Sequence, residues 1–311
     1  MKFMIAGAGA MGSRFGLMLH QKGHDVLLID TWQEHVETIN KKGLRVDYNG
    51  DKIVEKIPAV LLENIKKTPE KIDWVIVLTK SMALEKMMQG IKSTISENTK
   101  VLCLLNGLGH EEILGKYVPH ENIFIGNTMW TAGLDGPGEI TLFGEGSVTL
   151  QNLEPKKEEE ARYLVKVLSD AGLNGYYSDN ILKAIYTKAC VNGTMNGLCT
   201  LLEVNMATFG STSVAKEIVE KIVAEFDAVA RKENVVLDLP EVYHKIESCY
   251  NVETIGRHYP SMYQDLIQHH RLTEIDVING AIVRKGEKYG VPTPYCAFLT
   301  QLIHAKEEIL V

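Results

Sequence analysis

Three polar side chains recur at intervals of four within an apolar helical pattern predicted for Ile181–Leu202. A helix would place Lys188, Asn192 and Asn196 along one face. Asparagine is a poor helix former, and burying its amide without hydrogen-bond partners costs free energy. The stripe therefore indicates either a polar active site or a hydrogen-bonded seam between helices. In an active site, a lysine ammonium could stabilise negative charge on a carbonyl oxygen and then donate a proton.

A second polar cluster lies nearer the end of the chain. Ser261 begins the sequence SMYQD, and Glu274 lies within TEID. Thr273 has the position of a helix N-cap, with Glu274 in the first turn, so capping alone could explain this pair. The alternative is that Glu274 is a functional carboxylate.

The glycine motif GAGAMG predicts a phosphate-binding turn. It follows a buried strand predicted for Lys2–Ala6 and opens a helix, which is the context that GxGxxG requires. Gly7 permits the tight turn, Gly9 lets the backbone approach a pyrophosphate, and Gly12 lets the helix pack on the strand. The N–H groups at the start of the helix would then face the phosphates. The residues expected to bind the cofactor here are Gly7, Ala8, Gly9, Ala10, Met11 and Gly12.

Three more candidates follow the ends of predicted strands. Asp30 closes the second strand, where a carboxylate can accept hydrogen bonds from both ribose hydroxyls of NAD and repel the extra phosphate of NADP. No arginine occupies positions 31 to 33 to bind that phosphate, so NAD is the expected cofactor and NADP the less favoured one. Lys80, after the third strand, could reach the cofactor and leaves some use of NADP open. Asn106, after the fourth, would meet the reacting end of the cofactor.

The elements that must position these residues fall into two groups. Up to the fourth strand, apolar runs alternate with helical patterns, which predicts a parallel sheet with right-handed crossovers. Strand-like runs at Ile123–Trp130, Glu139–Phe143 and Ser147–Gln151 are expected to extend it in antiparallel fashion. We predict an α/β fold, with an N-terminal doubly wound Rossmann domain over 1–179 and an all-helical domain over 180–311. The helices predicted there are Ile181–Leu202, Ser213–Glu233, Pro240–Cys249, Thr273–Tyr289 and Tyr295–Ile309.

Composition disfavours several classes of protein. The chain of 311 residues is 45% apolar and 23% charged, and its net charge of −7 argues against a nucleic-acid partner. Its five cysteines lack zinc spacing, so we expect reduced thiols and no metal site. With no room for a signal peptide and no apolar run that could span a bilayer, a cytoplasmic location without a membrane partner is expected. A homodimer is compatible with the apolar helix faces, as is a single core.

The motifs together resemble the ketopantoate reductase (2-dehydropantoate 2-reductase) family. The resemblance covers the whole chain, through GAGAMG, LNGLG around Asn106, K-x3-N-x3-N from Lys188, and SMYQD with TEID. It implies an oxidoreductase that transfers a hydride between a nicotinamide and C2 of a 2-keto acid, giving an (R)-2-hydroxy acid.

The resemblance also implies a role for each polar residue. Lys188 would be the general acid for the developing alkoxide, and Glu274 would orient Lys188 and hydrogen-bond the substrate. The residues implied to bind substrate are Asn106, Asn192, Asn196 and Ser261. Burial should lower the pKa of Lys188 and Glu274 should raise it, and the sequence leaves open which effect prevails.

Two features depart from the pattern of the family. Biosynthetic ketopantoate reductases usually prefer NADP, against which Asp30 argues. Where the family often has a further polar residue, this chain has Met206, preceded by Asn205. Two substrate hypotheses stay open: ketopantoate, and a bulky or aromatic 2-keto acid of the kind used by D-mandelate-type dehydrogenases.

Two hypotheses outside the family compete with these. A β-hydroxyacid dehydrogenase also combines a Rossmann domain, a helical domain and a lysine, but Ser261 and Glu274 favour the ketopantoate reductase family. A non-catalytic NAD(H)-binding sensor would need the polar stripe without turnover, and nothing in the sequence requires a binding partner.

Overall fold

The computed structural model describes residues 1–65 and 71–311. The described chain divides into two compact units, one made of residues 1–105 and 110–181 and the other of residues 106–109 and 182–311. Residues 106–109 were predicted inside the N-terminal domain but group with the second unit. They do so because Leu108 lies in the core of that unit and donates its N–H to the carbonyl oxygen of Val277 at 2.8 Å.

The first unit contains twelve strands and five α-helices among its described residues. The strands are β1 (Lys2–Ala6), β2 (Asp25–Asp30), β3 (Leu44–Tyr48), β4 (Asp51–Glu55), β5 (Ala59–Leu61), β6 (Trp74–Val77), β7 (Lys100–Cys103), β8 (Ile123–Thr128), β9 (Thr131–Gly136), β10 (Glu139–Phe143), β11 (Val148–Asn152) and β12 (Gly175–Tyr177). The helices are α1 (Ala10–Gln21), α2 (Gln33–Lys42), α3 (Leu84–Ile91), α4 (His110–Leu114) and α5 (Glu158–Asp170).

The main sheet confirms the predicted doubly wound Rossmann fold. Its eight strands run in the order β12-β11-β8-β7-β6-β1-β2-β5, and all the pairs from β8 to β5 are parallel. Strand β11 pairs with β8 in the antiparallel direction that was expected for Ser147–Gln151. The same expectation for Ile123–Trp130 was wrong, because β8 pairs with β7 in the parallel direction. The strand order reverses between β1 and β6, which creates the switch point where such sheets bind ligands beyond the carboxyl ends of their strands.

A second sheet, β4-β3-β10-β9, departs from the prediction. Glu139–Phe143 was expected to extend the main sheet, but β10 pairs with β3 and β9 instead. Only alternate residues of β10 are buried, as suits a sheet that covers one side of a core. Helix α1 packs against β9 and β10, and its fully buried Arg14 donates from Nη1 to the carbonyl oxygen of Thr131 at 2.7 Å.

The second unit is helical, and residues 182–311 contain no strand. Its helices are α6 (Ile181–Leu202), α7 (Met206–Gly210), α8 (Ala215–Lys232), α9 (Leu239–Ser248), α10 (Ser261–Tyr263), α11 (Asn279–Tyr289) and α12 (Pro294–Leu310). They enclose a core of their own, separate from that of the first unit. In the described part of the chain, no helix has the length and apolarity needed to cross a bilayer.

The helix predicted for Thr273–Tyr289 is interrupted. Residues 275–277 form one 3-10 turn, and Ile278, with φ −106° and ψ −92°, separates this turn from α11. The interruption lies at Ile278, whose dihedral angles fall outside the helical region. The Thr273 hydroxyl accepts a hydrogen bond from the N–H of Ile275 at 3.2 Å and so satisfies the first N–H of the short turn. Glu274 therefore precedes the long helix instead of lying in its first turn.

Candidate active site

The glycine turn joins β1 to α1 at the switch point of the main sheet. Gly7 has a φ of +98°, and a Cβ there would lie 2.7 Å from the backbone nitrogen of Thr79, in the loop after β6. A Cβ on Gly12 would lie 1.8 Å from the Gly7 carbonyl oxygen, whereas one on Gly9 would meet nothing within 4 Å. The turn is therefore packed tightly against the protein and open at Gly9, as a pyrophosphate-binding backbone must be.

Hydrogen bonds hold both polar groups of Ala8 in this turn. Its N–H donates to Oδ2 of Asp30 at 2.8 Å, and its carbonyl oxygen accepts from Oγ of Ser13 at 2.6 Å. The same carbonyl lies 2.8 Å from Nε2 of the buried His35, whose Nδ1 accepts from the N–H of Gly138 at 3.0 Å. Because Nδ1 accepts, Nε2 carries the proton and donates to Ala8.

Ser13 and His35 hold the backbone of the glycine turn in place, and neither was predicted from the sequence. The position of Ser13 in the first turns of α1 is a usable signal, because a short hydroxyl there can reach the preceding backbone. No comparable signal exists for His35, because its two partners, Ala8 and Gly138, lie far from it in the sequence.

Asp30 ends β2 with most of its hydrogen-bonding capacity already used. Oδ1 accepts from the N–H groups of Thr31 and Trp32 at 2.7 and 2.9 Å, and Oδ2 accepts from Ala8. A carboxylate offers about four acceptor positions. One position on Oδ2 is left, so the structure accommodates one strong bond from a ribose hydroxyl where we expected two.

The loop after β6 contributes Thr79 and Lys80. Lys80 is exposed, as expected for a side chain able to reach a charged ligand. Oγ1 of Thr79 is buried and has no hydrogen-bond partner among the described residues. An unsatisfied buried hydroxyl is costly, so Thr79, in contact with the glycine turn, is a further candidate for binding the cofactor. Thr79 was not predicted from the sequence, although the end of β6 lies beside the switch point.

The polar stripe lies on α6, the 22-residue helix that was predicted. Asn196 is buried, and Lys188 and Asn192 are half-buried. A Cβ on Gly193 would lie 2.5 Å from the ring of Phe226 on α8, so the helix packs tightly beside the stripe. These polar side chains therefore belong to a largely enclosed part of the second unit and not to a solvated surface.

Lys188 and Glu274 interact electrostatically within the second unit. Burial lowers the pKa of Lys188, and the charge of Glu274 opposes this effect without reversing it. The question that the sequence left open is thus resolved in favour of burial. A lysine with a lowered pKa beside a carboxylate is suited to donating and accepting protons.

Residues 106–109, which include Asn106, pack against Val277, three residues after Glu274. Gly107 has a φ of +95°, and a Cβ there would lie 2.4 Å from the carbonyl oxygen of Val277. Only glycine fits this approach, which brings Asn106 into the same unit as Lys188 and Glu274.

The remaining candidates lie on short helical elements. Ser261 is exposed at the first position of α10, which continues into a π-helical turn at Gln264–Gln268, a feature frequent at functional sites. The side chain of Asn205 accepts from the N–H of Thr208 at 2.8 Å and so caps α7, while Met206 is buried. Asn205 therefore has a structural role.

No group of three or more His, Cys, Asp or Glu residues in the described ranges could hold a metal ion.

Both halves of the chain match one enzyme family. Residues 3–155 match "Ketopantoate reductase PanE/ApbA", and residues 180–307 match "Ketopantoate reductase PanE/ApbA C terminal". A 2-dehydropantoate 2-reductase of Lactococcus lactis subsp. lactis (strain IL1403) is 60% identical over 100% of this chain and 99% of its own length. One of Streptococcus pyogenes serotype M1 is 44% identical over 98% of each.

Solved structures share this fold over the full length. A D-mandelate dehydrogenase solved with NADH and anilino(oxo)acetate is 62% identical, with a TM-score of 0.94 over 100% of this chain and 99% of the other. A PanE/ApbA family ketopantoate reductase from Ralstonia eutropha JMP134 is 27% identical, with a TM-score of 0.88 and the same coverage.

Proposed function

The chain belongs to the ketopantoate reductase family, and we propose that it reduces ketopantoate to pantoate with a nicotinamide cofactor. The observation that carries the proposal is the pair formed by Lys188 and Glu274, in which burial lowers the pKa of the lysine. Such a pair supplies what carbonyl reduction needs, a cation beside the oxygen and a proton to deliver. The 2-dehydropantoate 2-reductase with 60% identity supports ketopantoate as the substrate.

Each residue has a defined task in this reaction. The reduced nicotinamide supplies the hydride to C2 of the keto acid. Lys188 stabilises the negative charge that develops on the carbonyl oxygen and transfers its proton to that oxygen, while Glu274 orients the ammonium. The residues proposed to bind the carboxylate and hydroxyl groups of the substrate are Asn106, Asn192, Asn196 and Ser261.

Asp30 favours NAD over NADP, whereas the glycine turn beside it fits either dinucleotide. The open backbone at Gly9 and the unsatisfied hydroxyl of Thr79 fit a bound dinucleotide. The remaining acceptor position of Asp30 suits a ribose hydroxyl, and its charge would repel a phosphate at the same place. The D-mandelate dehydrogenase that is 62% identical was solved with NADH, which supports the same preference.

A second candidate function is (R)-2-hydroxyacid dehydrogenase activity on bulky or aromatic 2-keto acids. The observation that favours it is the relative with a TM-score of 0.94, solved with the aromatic compound anilino(oxo)acetate. An apolar residue, Met206, where the family often has a polar one also suits an apolar substrate.

A rate comparison tests both candidates. The purified protein is given ketopantoate or benzoylformate, each with NADH or NADPH, and absorbance of the reduced cofactor is followed. We expect faster oxidation with ketopantoate and a higher kcat/KM with NADH. A higher kcat/KM for benzoylformate would replace the first candidate with the second, and no oxidation with either acid would contradict both.

A further inference from the structure

Residues 273–276, the segment that carries Glu274, are bound to helix α12 through Thr273. The backbone N–H of Thr273 donates to Oε1 of Glu307 at 2.6 Å. Both residues are buried, and Glu307 is only 6% exposed. A charge-assisted hydrogen bond in such surroundings is stronger than one in water, so Glu307 fixes the backbone immediately before Glu274.

His304 attaches the other end of the segment to the same helix. Its Nδ1 lies 2.8 Å from Oε2 of Glu307, and its Nε2 lies 3.0 Å from Oδ1 of Asp276. Arg284 of α11 donates from Nη2 to the carbonyl oxygen of Asp276 at 2.9 Å, so a second helix also holds this end. The side chain of Glu274 thus extends from a short stretch held at both ends.

The contacts of His304 require both ring nitrogens to carry hydrogen. Ionised carboxylates only accept hydrogen bonds, and a neutral imidazole has a single N–H. In the neutral form, one nitrogen would present its lone pair to Asp276 or Glu307. Burial alone lowers the pKa of His304, but the hydrogen bonds and charges of Glu307 and Asp276 outweigh burial and raise the pKa above its ordinary value.

Helix α12 also holds the end of the helix that carries Lys188. Nζ of Lys306 donates to the carbonyl oxygen of Thr200 at 3.1 Å and to Oε1 of Glu203 at 2.8 Å, at the carboxyl end of α6. About one turn of α12, residues 304–307, therefore contacts both elements that supply the proposed proton donor and its orienting carboxylate.

We propose that Glu307 and His304 are positioning residues for Glu274, and that the proton on His304 keeps the segment in its active geometry. The proposal rests on the proposed function, because it assumes that Glu274 orients Lys188. Loss of the proton leaves one of the two carboxylates facing a lone pair. If that carboxylate is Asp276, the segment loses a bond to α12 directly. If it is Glu307, repulsion at Nδ1 displaces the carboxylate that accepts from Thr273. A displacement of Glu274 by about 1 Å is enough to lower the rate substantially.

Hydrogen exchange at the amide of Thr273 tests the attachment without any need for activity. Relative to the intrinsic rate at each pH, protection in the wild-type protein should fall as pH rises through the titration of His304. Glu307→Ala should lose about 5- to 10-fold of protection at every pH, the worth of one hydrogen bond. Glu307→Gln should keep protection and lose its pH dependence, because the amide can accept from Thr273 and donate to a neutral His304.

Kinetics test the consequence for catalysis. In the reduction of ketopantoate, Glu307→Ala and His304→Gln should lower kcat about 10-fold with little change in KM, and Glu307→Gln should restore most of the loss. The matched control is His120→Gln, which removes a histidine bound to a single carboxylate, Glu154 at 2.9 Å, on the first unit. It should leave kcat unchanged, and a circular dichroism melt of each variant separates misfolding from mispositioning.

The outcomes distinguish this proposal from the proposed function. If the wild-type protein reduces ketopantoate and Glu307→Ala and His304→Gln match its kcat and pH profile, the positioning role is wrong and the function stands. If the wild-type protein reduces no 2-keto acid, the proposed function fails and the catalytic part of this proposal fails with it. Unchanged protection of Thr273 in Glu307→Ala overturns the attachment itself in either case.

Discussion

The ammonium of Lys188 is subject to two opposing influences, and their balance determines its chemistry. Removal from water destabilises the charged form, and the carboxylate of Glu274 stabilises it. Because burial has the larger effect, the lysine loses its proton more readily than an exposed lysine does. A general acid works best when its pKa lies near the working pH, so partial burial on α6 suits this lysine to its proposed role as proton donor.

Replacement of Lys188 tests its role as the general acid. Lys188→Ala should lower kcat for 2-keto acid reduction by about 10²- to 10⁴-fold, the usual contribution of a positioned acid. NADH binding, measured by fluorescence titration, should be unaffected, because the residues proposed to bind its phosphates and ribose lie in the first unit. Lys183→Ala, earlier on the same helix, serves as the control. A loss of only a few-fold in Lys188→Ala would remove this lysine from the mechanism.

The pH dependence of the rate follows from the lowered pKa of Lys188. Reduction requires the ammonium, so kcat should fall as pH rises through that pKa, at a pH below the ordinary range of lysine. Oxidation of the hydroxy acid requires the free amine and should accelerate over the same interval. The pH profiles of kcat for reduction and for oxidation, each measured with saturating substrates, test these two expectations. A reduction rate that stays constant into the ordinary lysine range would contradict the assignment.

Among the elements, α1 and the glycine turn show how one motif combines packing with binding. Gly7 and Gly12 are required by the protein itself, because any Cβ there would collide with backbone atoms. Gly9 meets no such constraint, and we expect its lack of a side chain to serve a bound dinucleotide. The three glycines are thus expected to divide between stability and function, a difference that the pattern alone does not reveal.

Two matched substitutions test this division. Gly12→Ala should lower the free energy of unfolding by about 1–3 kcal/mol, because α1 must shift away from the Gly7 carbonyl. Gly9→Ala should leave thermal unfolding unchanged and weaken NADH binding at least 10-fold, because the methyl group enters the space of the pyrophosphate. Denaturant titration and calorimetric binding report the two effects. Equal stability losses in both variants would refute the division.

At the scale of the whole molecule, each unit has its own hydrophobic core. One core lies around the sheets and the other among the helices of the second unit. Leu108 follows β7 of the first unit in the sequence, but its side chain packs in the core of the second unit. Two cores allow two unfolding transitions, and a ligand of one unit should stabilise that unit selectively.

Differential scanning calorimetry with NADH tests this independence. At 100 times its Kd, the cofactor should stabilise the first unit by about 2.7 kcal/mol and raise its transition. The transition of the second unit should move little. A shift confined to the second unit would place the cofactor site outside the glycine turn.

The candidate site and the fold were predictable to different extents. The β1–turn–α1 unit and the helix with Lys188 were predicted because their signals are local. The second sheet was missed, although Asn49-Gly50 between β3 and β4 is a strong hairpin signal, because glycine-rich stretches near β9 resemble turns. The break before α11 was missed because the non-helical dihedral angles of Ile278 have no signal in the local sequence.

The sequence by itself determined which residues could do chemistry, since the spacing of Lys188, Asn192 and Asn196 and of the glycines follows from local backbone geometry. Only the tertiary structure decided what holds them. Asp30 supports Ala8, and Glu307 holds the residue before Glu274, through hydrogen bonds between residues far apart in the chain. Such bonds have no period and no local pattern. They exist only once packing has brought the elements together.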